Sequence, residues 1–223
     1  MLNYHFQEDT ICAPATAVGG ALAVIRISGA DAFQIAEKHW QGSNLLSENP
    51  DRKFFLGSIT DSTGKTIDAQ CLAVKMSAPN SFTGENCVEF HCHGGAYSVS
   101  LILAALSDSA CRIAEPGEFS RRAFLNAKLD LTQAEAVADL INAASESALK
   151  LANEQLQGSF GRQIGELYDN LFIQLCEIEA RIDFPEEGLE WQSIEEVQEK
   201  LQEMLLQIEA LAESRKQGEI LRE

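Results

Sequence analysis

The sequence predicts an α+β protein: an N-terminal mixed-sheet α/β domain followed by an incomplete all-α helical domain. Three observations carry this reading. Up to about Cys111, short strand-like runs alternate with helical ones, whereas from Thr132 onward the apolar period is helical throughout. The charge balance changes in the same region: residues 1–130 hold 10 Lys and Arg against 14 Asp and Glu, and residues 131–223 hold 7 against 20. Between the two lies the stretch 115–131, where a Pro116-Gly117 turn, acids and arginines are crowded among apolar anchors such as Phe119 and Phe124. Proline presets φ there and glycine tolerates positive φ, so the segment turns, packs and then enters helix. The domains are placed at residues 1–125 and 126–223.

The elements follow in order. Residues 20–27 read as a buried strand interrupted by one charge, Arg26. Ser28-Gly29-Ala30-Asp31 makes a turn and a helix start, with Ala32, Ile35 and Ala36 at helical spacing. Residues 54–59 and 71–76 read as strands, separated by an Asp61-Ser62-Thr63-Gly64 turn. Residues 87–92 form another strand and residues 98–106 a buried helix.

In the second part, Thr132-Gln-Ala-Glu135 and Ser193-Ile-Glu-Glu196 both match the capping box, where hydroxyl and carboxylate satisfy backbone N–H groups reciprocally. Leu149, Ala152, Leu156, Phe160, Ile164, Leu167, Leu171, Leu175, Ile178 and Ile182 recur at steps of three and four. They predict one long amphipathic helix ending at Asp183-Phe184-Pro185. Ile194, Val197, Leu201, Met204, Ile208 and Leu211 repeat the pattern on a last helix. Antiparallel bundle packing accounts for both stripes. Two long helices and a short one leave that bundle unfinished, so the sequence reads as a piece of something larger.

Composition narrows the function classes. The 223 residues are 45% hydrophobic and 23% charged, ordinary for a globular protein. No run approaches the roughly 20 apolar residues of a membrane span, and the first residues lack a signal-peptide pattern. A cytoplasmic location without membrane attachment is expected. Six cysteines without a Cys-x-x-Cys pair fit buried thiols in a reducing compartment. The acidic second part disfavours direct RNA binding by this chain, because such binding depends on cations meeting phosphates.

The strand Cys87-Val-Glu-Phe-His-Cys-His-Gly-Gly95 is the richest in chemistry. Alternation puts Val88, Phe90 and Cys92 on a core face and Glu89, His91 and His93 on a polar one, which leads into Gly94-Gly95 and a helix. Glycines between a strand and a helix N-terminus let a ligand approach free backbone N–H groups. A His-x-His metal site is conceivable there, but no third ligand stands at matching spacing, so no metal is assigned. A solvent-facing strand edge is the plain alternative to a ligand cleft. Ser81, Thr83 and Glu85, just upstream, are placed to line the same rim or to form a simple connecting loop. Arg26 needs a partner, either Glu89 or a ligand carboxylate. Lys128 supplies a second cation. No phosphate-binding Gly-x-x-x-x-Gly-Lys loop, Gly-x-Gly-x-x-Gly fingerprint or Gly-x-Ser-x-Gly elbow occurs, so this chain alone is expected neither to bind nor to hydrolyse GTP.

Asp9-Thr-Ile-Cys-Ala-Pro-Ala-Thr, Val24-Ile-Arg-Ile-Ser-Gly, Ser81-Phe-Thr-Gly-Glu, Val88-Glu-Phe-His-Cys-His-Gly-Gly, the whole stretch from Glu115 to Ala136, Ile182-Asp-Phe-Pro-Glu and Lys216-Gln-Gly-Glu-Ile-Leu-Arg-Glu occur in this order. As a set they resemble the N-terminal part of the MnmE (TrmE) family of tRNA modification GTPases. The resemblance implies a dimer-forming domain, similar to the aminomethyltransferase-type tetrahydrofolate-binding fold, and then the first part of a helical domain. It implies a one-carbon tetrahydrofolate (5-formyl or 5,10-methylene) held by Arg26, Glu89 and Lys128, with no catalytic residue in this chain. GTP, Mg2+ and K+ belong to a G domain that follows in the family. With the flavin-dependent partner MnmG, the family is expected to build a carboxymethylaminomethyl-type group on wobble uridine 34 of tRNA. The alternative is a ligand-free dimerisation or scaffold module of the same GTPase.

Overall fold

A computed structural model describes residues 9–184 and 192–222, with side chains as far as 213. The opening residues 1–8, Pro185 at the predicted helix end and the side chains of the 216–223 motif lie outside the described residues. The chain divides into two units between Leu129 and Asp130, where the sequence reading set the division at 125 and 126. Asn126 stays with the first unit because its side-chain amide donates to the Thr83 carbonyl, 2.7 Å away.

The first unit is built on one seven-stranded sheet in the order β3-β4-β5-β6-β2-β1-β7. Its strands are β1 (Ile11–Pro14), β2 (Leu22–Ser28), β3 (Trp40–Gly42), β4 (Phe55–Thr60), β5 (Thr66–Met76), β6 (Cys87–His93) and β7 (Arg112–Ile113). Neighbours pair antiparallel except β1 and β7, which run parallel, so the sheet is mixed. The helices α1 (Ala32–His39) and α2 (Ala96–Asp108) contribute Ile35, Ala36, Val99, Ile102 and Leu106 to a core shared with Ile25, Ile27, Val88 and Phe90. Trp40 stacks on Phe90 with ring centroids 5.8 Å apart. Gly57 is required beneath that indole, because a Cβ would lie 2.4 Å from the ring. A third helix, α3 (Glu118–Leu125), follows the left-handed Gly117 of the predicted turn.

The β-bonded register puts every second residue of β2, β5 and β6 on the face opposite this core. Val24, Arg26, Glu89, His91 and Leu72 share that face. The predicted alternation along β6 holds: Val88, Phe90 and Cys92 are buried and Glu89, His91 and His93 are not. β5 begins five residues before its predicted start, which brings Asp68 into the sheet.

The second unit comprises α4 (Leu131–Asn142), α5 (Glu146–Leu156), α6 (Ser159–Asp183) and α7 (Ile194–Arg222). Two expectations are corrected here. The predicted single helix from Leu149 to Ile182 is broken at Gly158, which adopts φ +74° and ends α5 before α6 begins. The first capping box is formed by Asp130 and Gln133, not Thr132 and Glu135. Both pairs fit the spacing; the Asp130 carboxylate takes the Gln133 backbone N–H at 2.8 Å and also accepts the Thr132 hydroxyl at 2.7 Å. The second box forms as expected, with Ser193 and Glu196 bonded in both directions.

Candidate functional site

The antiparallel register of β2 and β6 sets Arg26 opposite Glu89. The Arg26 guanidinium donates from Nε to Glu89 Oε1 at 2.8 Å, and its Nη2 lies 2.7 Å from the same oxygen. Both Arg26 contacts therefore fall on Oε1. Two aromatic rings flank the cation: its central carbon is 4.8 Å from the Phe82 centroid and 5.4 Å from that of Phe119. The pair thus sits, 19% and 16% exposed, on the sheet face opposite the core, with both rings against Arg26.

The walls come from segments that are tied down. Phe82 belongs to the loop 81–85, where Ser28 Oγ bonds Thr83 Oγ1 at 2.6 Å and donates to Glu85 Oε2 at 2.7 Å. Ser81 Oγ donates to the Glu85 carbonyl at 2.6 Å. Ser81 and Thr83 are buried, so their hydroxyls hold the loop shut instead of lining its rim. Phe119 is carried by α3, whose Glu118 is 3% exposed. That carboxylate accepts from Arg112 at 2.7 and 3.0 Å, from Arg121 at 3.0 Å and from the Glu115 backbone N–H at 2.7 Å. Hydrogen bonds from Arg112 hold the Glu118 carboxyl down at about 2. Arg122, also buried, joins Asp9 at 2.7 Å to Glu85 at 3.2 Å. Burial pushes the Asp9 carboxyl up, but its bonds to Arg112 and Arg122 outweigh this and keep it below its ordinary value.

The remaining predicted residues divide along β6. His91 lies beside Glu89, with Nε2 3.6 Å from Glu89 Oε2 and the Phe54 ring edge-on at 4.9 Å. His93, at the other end of the strand, pairs with Asp68 at 2.9 Å. The space beside Gly94 is taken by the chain itself, since a Cβ there would lie 2.4 Å from the Gly20 carbonyl oxygen, whereas Gly95 stands open at the start of α2. Lys128 brings its aliphatic stem close to Gly84 of the 81–85 loop. Its ammonium has no partner among the described residues.

Among the described residues, no three His, Cys, Asp or Glu side chains converge as a metal site. Burial pushes the thiols of Cys87 and Cys92 up to about 12 and 11, so neither is a ready nucleophile. Sequence reasoning missed Phe82, Asp9, Asp68, Arg112 and Glu118 as parts of this arrangement. Only the crowded charges after Pro116 signalled it, and they name no partner.

The family model described as GTP-binding protein TrmE N-terminus matches residues 10–128, and the MnmE helical domain model matches residues 131–223. The tRNA modification GTPase MnmE of Chlorobium chlorochromatii is 44% identical over 227 residues, covering 99% of this chain and 47% of the relative. Proteins of the same name from Shouchella clausii and Clostridioides difficile are 39% and 40% identical, each covering at least 97% of this chain and 48% of the relative. The chain spans about half the length of the curated relatives it matches. With the two family models matching nearly all of its residues, the chain belongs to the MnmE (TrmE) family and carries its N-terminal domain followed by its helical domain.

Proposed function

We propose that this chain binds a one-carbon tetrahydrofolate, 5-formyl or 5,10-methylene, and serves as the folate-holding, dimer-forming part of a tRNA modification GTPase. The observation that carries the reading is the Arg26–Glu89 pair flanked by Phe82 and Phe119. A reduced folate has a flat amino-pyrimidine edge rich in N–H donors and a tail of carboxylates. Glu89 Oε2 accepts such donors, the rings stack against the flat portion, and the free ammonium of Lys128 suits the anionic tail. When bound, the folate supplies the one-carbon unit; the residues here bind and orient it. In the whole enzyme, a G domain using GTP, Mg2+ and K+ and the partner MnmG would complete the carboxymethylaminomethyl-type modification of wobble uridine 34.

Calorimetric titration with 5-formyltetrahydrofolate tests the reading. Loss of a charge-assisted hydrogen bond costs about 1.5–3 kcal/mol, so Arg26→Ala and Glu89→Ala should each weaken binding by roughly one to two orders of magnitude. Parent-like affinity in both variants overturns the assignment. The second reading, a dimerisation module without ligand, draws on Leu22, Leu56 and Leu72, exposed on the same sheet face. A sedimentation dimer that takes up no folate would favour it.

A further inference from the structure

We propose that His91 is a further residue of the ligand site and that its protonation sets the affinity for ligand. The proposal rests on the folate reading above. Glu89 divides its two oxygens: Oε1 takes both Arg26 contacts, and Oε2 faces His91 Nε2 at 3.6 Å. That nitrogen is buried and has no hydrogen-bond partner. A buried polar atom left unpaired in the middle of a polar row calls for a partner from outside the chain.

The cross-strand neighbours of His91 are Val24 on β2 and Leu72 on β5, both apolar, and Phe54 closes over its ring. The charged or titratable groups nearby are Glu89 and His93 on its own strand, Arg26 on β2 and Asp68 on β5, the last two already joined to Glu89 and His93. The proton therefore has one carboxylate oxygen to act on. With neutral imidazole, Oε2 is open to the N–H groups of the pyrimidine edge and Nε2 offers a second hydrogen-bonding atom beside it. With imidazolium, Nε2–H donates to Oε2, and an incoming ligand must displace a charge-assisted bond. Ligand and proton compete for the same oxygen.

If only the neutral form binds, protonating the imidazole weakens binding as the pH falls from 7.5 to 5.5. Calorimetry with 5-formyltetrahydrofolate across this range, on the parent chain and His91→Gln, reads the effect. The parent should bind more weakly at pH 5.5 than at pH 7.5, and His91→Gln equally at both. A shared pH profile, or a flat parent profile with binding retained, overturns the His91 proposal alone; absence of binding at every pH overturns the folate reading with it.

Discussion

The two units spend their apolar side chains differently. Ile25, Ile27, Val88 and Phe90 in the first are fully buried beneath α1 and α2, whereas α6 in the second leaves Leu171, Leu175 and Ile182 49–72% exposed. Their charges differ as well. In the first unit Arg122 reaches Asp9 across 113 positions of sequence, while in α6 Arg181 reaches Glu177 one helical turn away. A site needs side chains fixed from several directions, and the first unit provides that by joining distant segments. A helix stripe identifies a face without identifying what covers it.

Substitutions should separate the units most sharply. Phe90→Ala empties a site packed on Trp40 and should cost about 3–5 kcal/mol. Glu118→Ala removes the buried carboxylate that Arg112 and Arg121 share and should cost less, about 1.5–3 kcal/mol. Leu171→Ala on the open stripe should stay within about 0.5 kcal/mol. Denaturant unfolding of the three variants measures the contrast; a large loss in Leu171→Ala would mean that its face is covered in solution.

Acid provides a second separation. Glu118 has an ordinary value near 4.5 and is held at about 2 in the fold. A lowered folded value means that the contribution is complete above the ordinary value and lost as pH falls toward about 2. The first unit should therefore weaken steadily from pH 4.5 to 2, and Glu118→Gln should flatten that slope. Thermal unfolding of parent and variant at pH 4.5, 3.5 and 2.5 checks both the direction and the window.

Gly158→Ala should have a local effect. It asks a side chain to adopt φ +74°, at a cost of roughly 1 kcal/mol, and should loosen the α5–α6 turn without touching the first unit. Amide exchange confined to residues 146–183 is the expected result.

What was legible in the sequence follows from the range of each interaction. Alternation along β6 and the isolated charge of Arg26 are local patterns, and both read correctly. The partners of Arg112 and His93 were invisible, because Asp9 and Asp68 meet them only after the sheet closes. Gly158 was overlooked because the three-and-four spacing of apolar residues continues across the break. Asp130 and Thr132 both fitted a helix start, and the stronger acceptor prevailed. The folate assignment of Arg26, Glu89 and Lys128 came from family resemblance; the aromatic walls around Arg26 could not be read from spacing.

The central claim is that ligand chemistry resides on the open sheet face of the first unit. Hydrogen exchange of the whole chain with and without saturating 5-formyltetrahydrofolate tests it most directly. Slower exchange should appear in β2, β6, the loop 81–85 and α3, with α5 and α6 unchanged. Protection confined to α5 and α6, or no change anywhere at saturating ligand, would contradict it.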